Sequence, residues 1–151
     1  MKKVLILGIT GVTMVLLILG LVGCTATKPT TEKEVSVEVS IGDFTNVSSI
    51  SREVEVAKGG TVTVILGSNQ TTGFQWSEHA QIGDTTILEQ TSHKYVSPEV
   101  DTQVVGAAGK EEWIFKALKS GTTTVTMEYS RPWEGGEKGV WKFNLTITVK
   151  S

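Results

Sequence analysis

The sequence predicts an all-β sandwich of about seven or eight strands, and three observations lead to this prediction. Apolar and polar residues alternate along many short segments, these segments follow one another at short, regular intervals, and glycine-rich turns separate them. Beyond residue 33, no segment repeats its apolar residues with a helical period. Because alternation places one face of each strand in the core, two packed sheets would bury every such face.

Each predicted strand is one alternating segment. The clear segments, in chain order, are 34–40, 50–56, 61–66, a short run around Trp76, 111–118, 122–129 and 140–149. The weaker candidates are 87–88, 93–96 and 103–105, with a turn at 41–46. Trp76, Trp113 and Trp141 lie on inward faces of their segments, so we assign all three to the core.

The N-terminus has the pattern of a bacterial lipoprotein. Lys2 and Lys3 precede an almost uninterrupted apolar stretch at 4–21, and Leu21-Val22-Gly23-Cys24 follows. We predict a signal peptide over 1–23, cleaved after the small Gly23, and a lipid on Cys24 that anchors the chain to an extracytoplasmic membrane surface. A single membrane-spanning helix is the alternative, since the apolar stretch is close to the ~20 residues that a span requires.

We predict that the rest of the chain is one domain preceded by a flexible linker. Residues 24–33 are polar and threonine-rich and form the predicted linker, and residues 34–151 form the predicted domain. Cleavage would leave 128 of the 151 residues and change the net charge from −2 to −4, because Lys2 and Lys3 are lost. An acidic domain without a basic cluster is not a nucleic-acid binder. With Cys24 lipidated, the domain contains no thiol for a disulfide, a zinc-thiolate site or a nucleophile.

The inventory of polar residues favours a binding module over an enzyme. No nucleophile elbow, phosphate-binding loop or metal-ligand spacing occurs, and we predict neither metal nor cofactor. The imidazoles and paired carboxylates are expected on the solvated surface; these residues are His79, His93, Glu111, Glu112, Glu134 and Glu137.

Three loops stand out instead. They contain Asn69-Gln70-Thr71-Thr72-Gly73-Phe74, Gly106-Ala107-Ala108-Gly109 and Arg131-Pro132-Trp133. Two strand passages separate each loop from the next, and such loops emerge at one end of a Greek-key sandwich. Together they would present hydroxyls, bare backbone and an exposed Trp133. Taken singly, the first can also be an ordinary hairpin connection and the second a tight turn.

The ordered trio resembles the chagasin family of inhibitors of papain-like cysteine peptidases. That family carries an Asn-Pro-Thr-Thr-Gly-Tyr/Phe loop, a Gly-x-Gly loop and an Arg-Pro-Trp loop on an immunoglobulin-like Greek-key sandwich. The resemblance extends over residues 35–149. Two positions depart from it: Gln70 stands where the family has proline, and Ala108 where it has the second glycine. These changes imply a less preorganised first loop and a second loop that approaches a partner less closely.

The resemblance implies a role for each loop in a wedge that occludes the active-site cleft reversibly. Thr71 and Thr72 would cover the catalytic cysteine, and Gly73 would permit close approach. The second loop would offer backbone groups to the non-primed side of the cleft. Trp133 would stack on the aromatic wall of the primed side, while Arg131 would brace its own loop.

Other functional classes stay open at this point. A domain of the cell envelope that binds peptide or glycan, without inhibiting anything, would have the same sandwich and exposed loops. A hydrolase is remote, because no nucleophile has a neighbouring base. The resemblance implies a papain-like peptidase as the partner, and the predicted lipid implies a membrane; we expect the protein itself to be a monomer.

Overall fold

The computed structural model describes residues 31–98 and 106–151. The predicted leader, Cys24, most of the predicted linker and the segment 103–105 lie outside these residues. Within them the chain forms β1 Glu34–Val39, β2 Ser49–Ala57, β3 Thr61–Ser68, β4 Gln75–Trp76, β5 Gln81–Ile82, β6 Leu88–Val96, β7 Gly109–Ala117, β8 Gly121–Ser130 and β9 Trp141–Lys150. Two short 3₁₀ helices, Ile41–Phe44 and Gln70–Thr72, complete the described elements.

The strands form two sheets, which confirms the predicted sandwich. One sheet has the order β1-β3-β7-β6 and the other β2-β9-β8-β4, with β5 also paired to β8. The pairs β1–β3 and β2–β9 are parallel, whereas the remaining pairs are antiparallel. Between β1 and β3 the chain crosses to the other sheet to form β2, so β1 and β3 can run in the same direction. The described residues contain nine strands, more than the seven or eight predicted, because β4 and β5, with two residues each, count as separate strands. The candidate at 93–96 and Leu88 of the candidate at 87–88 belong to one strand, β6.

The core lies between the two sheets and is built from the inward residues that the alternation predicted. Trp76 and Trp113 are buried, as assigned. Trp141 is only half-buried because it begins β9 at the end of its sheet. There its ring stacks on Tyr129 at 4.9 Å and on Phe44 at 5.1 Å between centroids.

Strand register places all three loops at one end of the sandwich. Ser68, the last residue of β3, pairs with Gly109, the first of β7. On the other sheet Tyr129 pairs with both Trp76 and Trp141, so β8 delivers the chain to that same end. We call this end of the molecule the tip.

The predicted turn at 41–46 contains a 3₁₀ helix that packs beneath the tip. The Ser40 backbone N–H and hydroxyl donate to Asp43 at 2.8 Å each, and these bonds hold the pKa of Asp43 below its usual value. Gly67 allows the helix to approach β3, since a Cβ there would lie 2.6 Å from the Ile41 nitrogen.

Candidate functional site

The first loop, residues 69–74, is a closed turn held by its own side chains. Asn69 Oδ1 accepts from the Thr71 backbone N–H at 3.2 Å and from the Thr71 hydroxyl at 2.6 Å. The Thr72 hydroxyl donates to the Asn69 carbonyl at 2.6 Å, and Gly73 ends the 3₁₀ turn in the left-handed conformation. Gln70, Thr71 and Thr72 are exposed as a result. Their backbone is fixed before any partner arrives.

Asn69 also connects the first loop to its surroundings. Its Nδ2 donates to the Gly106 carbonyl in the second loop at 3.1 Å, and its backbone N–H donates to the Tyr129 hydroxyl at 2.9 Å. One side chain therefore shapes its own turn and ties two loops together.

Gly73 lies directly beneath Trp133. Its φ of 78° favours glycine, and a Cβ there would lie 2.6 Å from Cη2 of the Trp133 ring. The resemblance implies that Gly73 permits the close approach of a peptidase. In this structure, however, the indole ring of Trp133 occupies the space that a Cβ of residue 73 would fill. Trp133 is nevertheless 51% exposed, in agreement with the sequence prediction.

Arg131 braces two loops and not merely its own. Its guanidinium carbon lies 4.3 Å from the centroid of the Phe74 ring and 5.9 Å from that of Trp133. Phe74 is half-buried and stacks on Tyr129 at 5.5 Å, so it anchors the end of the first loop at the edge of the core. The third loop, residues 131–139, is thereby fastened to the first.

Lys138 organises the interior of the third loop. Its ammonium group donates to the carbonyl oxygens of Arg131 and, at 3.0 Å, Trp133. The Gly136 N–H also donates to the Trp133 carbonyl, at 3.1 Å. The backbone on both sides of the exposed Trp133 is thus held in place while Pro132 and Glu134 face solvent.

The second loop, residues 106–109, divides into an exposed part and a buried part. Gly106 and Ala108 are exposed, and Gly106 has a φ of 90°. Gly109 is buried as the first residue of β7, where a Cβ would collide with the Tyr95 hydroxyl and the Val96 carbonyl oxygen. Gly109 therefore belongs to the framework, and the groups that face solvent come from 106–108.

Beneath the tip, Glu111 contradicts the prediction that it is a surface residue. It is 1% exposed, and its Oε1 accepts from the Ser68 hydroxyl at 2.7 Å and from the Trp76 backbone N–H at 3.0 Å. Its other oxygen, Oε2, forms a hydrogen bond with His93 Nε2 at 2.9 Å. His93, also predicted at the surface, is half-buried against Trp113 at 4.8 Å between ring centroids. The sequence did contain a signal of this burial. Glu111 lies two residues before Trp113, and residues two apart on a strand face the same side.

This buried group of Ser68, Glu111 and His93 is not a nucleophilic centre. Ser68 is 0% exposed, and its hydroxyl donates to the carboxylate instead of facing the imidazole. A serine that no substrate can reach, and whose hydroxyl does not contact the imidazole, cannot serve as the nucleophile of acyl transfer.

Among residues 31–98 and 106–151, no three His, Cys, Asp or Glu side chains are grouped to hold a metal ion. None of the helices in those same ranges is long and apolar enough to span a bilayer.

Comparison with known proteins identifies the family. A model described as "Chagasin family peptidase inhibitor I42" matches residues 55–147, which include all three loops. Chagasin of Trypanosoma cruzi is 34% identical over 94 residues, covering 61% of this chain and 84% of chagasin.

Two solved structures share the fold. The cysteine protease inhibitor EhICP2 from Entamoeba histolytica has a TM-score of 0.60 at 20% identity, over 78% of this chain and 97% of that chain. The structure of PbICP-C in complex with falcipain-2 has a TM-score of 0.55 at 15% identity, over 75% of this chain and 98% of that chain. On the evidence of the family match, the chain belongs to the chagasin family of peptidase inhibitors.

Proposed function

We propose that the protein inhibits papain-like cysteine peptidases reversibly by inserting its tip into the active-site cleft. The observation that carries this proposal is the fastening of the three loops to one another through Asn69, Arg131 and Gly73. Rigid loops lose little conformational entropy on binding, so their contacts are available for affinity. Membership of an inhibitor family favours this function over adhesion within the cell envelope.

The shape of the first loop explains how it could occupy a peptidase cleft without being cleaved. The Gly73 N–H donates to the Gln70 carbonyl at 3.0 Å, and the Thr72 N–H to the Asn69 carbonyl at 3.1 Å. Attack on a peptide bond of this turn would require the turn to open first, because its backbone groups are engaged internally. The tip therefore presents hydroxyls over the nucleophile in place of an extended, scissile segment.

The two departures from the family pattern fall at positions where the structure accommodates the different residue. Gln70 is the first residue of the 3₁₀ turn, where a backbone N–H has no acceptor within the helix. Proline and glutamine can both begin such a turn, and the Asn69 cap preserves its shape in this chain. Ala108 is exposed, so its methyl group projects from the tip without disturbing the sandwich.

Trp133 is expected to be the principal anchor. Trp133→Ala should raise the inhibition constant against papain by about thirtyfold, the equivalent of a hot-spot loss of about 2 kcal/mol. The measurement is hydrolysis of a dipeptide reporter by papain with increasing soluble domain. Leu118→Ala is the control, because Leu118 is 41% exposed and follows β7, at the end opposite the tip. Full papain activity at high micromolar wild-type domain would exclude the inhibitor function.

We further propose that residues 1–23 are removed and that a lipid on Cys24 tethers a monomeric domain outside the cytoplasm. The pattern around Cys24 supports this proposal. The N-terminal end of β1, where the tether would join the domain, lies away from the tip. Glu34 pairs with Thr61, seven residues from Ser68, so the tether would join the domain about 23 Å from the tip at ~3.3 Å per residue. The loops would then point away from the membrane.

Replacement of Cys24 by serine tests the anchor. The Cys24→Ser protein should lose incorporation of radiolabelled palmitate, since serine cannot carry the thioether lipid. Inhibition by the purified domain should not change. Wild-type protein that incorporates no palmitate and keeps residues 1–23 would favour a spanning helix instead.

A further inference from the structure

Glu111 is the one carboxyl side chain in an otherwise apolar inward row of β7. The neighbouring members of that row, Trp113, Phe115 and Ala117, are all buried in the core. A buried carboxyl group is unfavourable unless polar partners surround it, and here three lie between 2.7 and 3.0 Å from its oxygens. These partners are the Ser68 hydroxyl, the Trp76 backbone N–H and His93 Nε2.

Two of the three partners belong to the two stems of the first loop. Ser68 is the residue immediately before Asn69, and Trp76 lies two residues after Phe74. Both donate to the same oxygen, Oε1, so this atom sets the spacing between the chain entering the loop and the chain leaving it. The Trp76 indole N–H adds a second connection between the stems, to the Gly67 carbonyl at 2.9 Å.

The contact also bridges the two sheets. Glu111 and Ser68 lie in the four-stranded sheet, whereas Trp76 lies in β4 of the five-stranded sheet. Since β4 has only two residues, its position depends on contacts besides its short pairing with β8. The Glu111 carboxylate supplies such a contact directly below the exposed threonines.

We propose that Glu111 is a positioning residue for the inhibitory tip. It holds the stems of the first loop at a defined separation and so aims Thr71 and Thr72, while His93 satisfies its second oxygen. This inference rests on the proposed function, because aim matters only if the loop enters a cleft. It also predicts how the first loop is held in the free protein, which can be measured without a peptidase.

The test compares Glu111→Leu, Glu111→Gln and Ser68→Ala with a buried polar control, Thr123→Val. Thr123 is 4% exposed and accepts from the Asp84 N–H at 2.8 Å, seven residues of β8 away from the tip. Leucine cannot accept from either stem, whereas glutamine retains an oxygen that can accept from both and has an amide group that can face His93. Each variant is assayed for papain inhibition, melting temperature and backbone amide resonances of the first loop.

The expected result separates positioning from general stability. At a temperature where every variant is folded, Glu111→Leu should raise the inhibition constant by about tenfold or more, and Glu111→Gln by less than about threefold. Ser68→Ala should shift the amide resonances of Thr71 to Gly73 with the fold intact, so it remains informative if Glu111→Leu does not fold. Thr123→Val should lower the melting temperature with neither effect.

Three outcomes would overturn the proposal. Unshifted loop resonances in both Ser68→Ala and a folded Glu111→Leu would show that the stems need no carboxylate. Equal losses of inhibition in the glutamine and leucine variants would assign the effect to charge and not to the stem contacts. Equal losses in Thr123→Val would reduce Glu111 to a stabilising residue. If wild-type protein fails to inhibit papain, the proposed function fails, but the loop resonances still decide the positioning role.

Discussion

Replacement of Gly73 by alanine should weaken inhibition of papain by at least about thirtyfold while leaving the sandwich folded. Two effects combine at this position. An L-residue at a φ of 78° is strained by about 1–2 kcal/mol, and its Cβ would lie 2.6 Å from the Trp133 ring. The Trp133 ring must therefore leave the position from which we propose that it binds a peptidase. The inhibition constant measures the loss, and the resonance of the Trp133 indole N–H reports the displacement of the ring.

Gly59 provides a matched control for the backbone strain. Its φ is 79°, and a Cβ there would meet nothing within 4 Å. Gly59→Ala in the turn between β2 and β3 should thus destabilise the protein by a similar amount without affecting inhibition. If Gly73→Ala and Gly59→Ala inhibit equally well, Trp133 is not held by Gly73 in the way the structure indicates.

Asn69→Ala should weaken inhibition by about tenfold or more and make the first loop susceptible to cleavage. The substitution removes three hydrogen bonds, two that close the turn on Thr71 and one to the Gly106 carbonyl. An opened loop gains conformational entropy that binding must remove, and it exposes peptide bonds to the nucleophile. Inhibition constants and mass spectrometry after prolonged incubation with papain measure the two effects.

Two further variants sharpen this prediction. Asn69→Asp keeps the oxygen that accepts from Thr71 but loses the donor to Gly106, so it should resist cleavage yet inhibit less well than wild type. Asn144→Ala removes an amide from the middle of β9, where it donates to the Ser49 hydroxyl at 3.2 Å, and should change neither property. An intact, fully inhibitory Asn69→Ala protein would falsify the view that Asn69 shapes the inhibitory loop.

The sandwich was predictable because each strand, whether it pairs antiparallel or lies at the edge of a sheet, buries one face. Alternation of apolar and polar residues indicates such burial directly. The buried rows of β7, β8 and β9 follow the pattern closely. Strand boundaries and very short strands were harder to predict from the sequence. β4 and β5 exist because β8 offers them partners, and two residues are too few to carry a period of their own.

The loop motifs were also predictable, yet the roles of single residues within them changed. Gly109 resembles part of a contact loop in the sequence but is buried under Tyr95. Glu111 was assigned to the surface on the basis of residue type, although its parity with Trp113 placed it inward. The residue type predicted exposure and the alternation predicted burial. The alternation was right because three hydrogen-bond partners compensate the burial of the carboxyl group.

By itself, the sequence determined the sandwich, the order and composition of the three loops, and the family to which they belong, because these depend on local alternation and on residues adjacent in the chain. Only the tertiary structure decided what holds the loops in place. Trp133 lies on Gly73, Arg131 lies over Phe74, and one carboxylate joins both stems of the first loop. These contacts join residues up to 60 positions apart, so they exist only once the two sheets have packed.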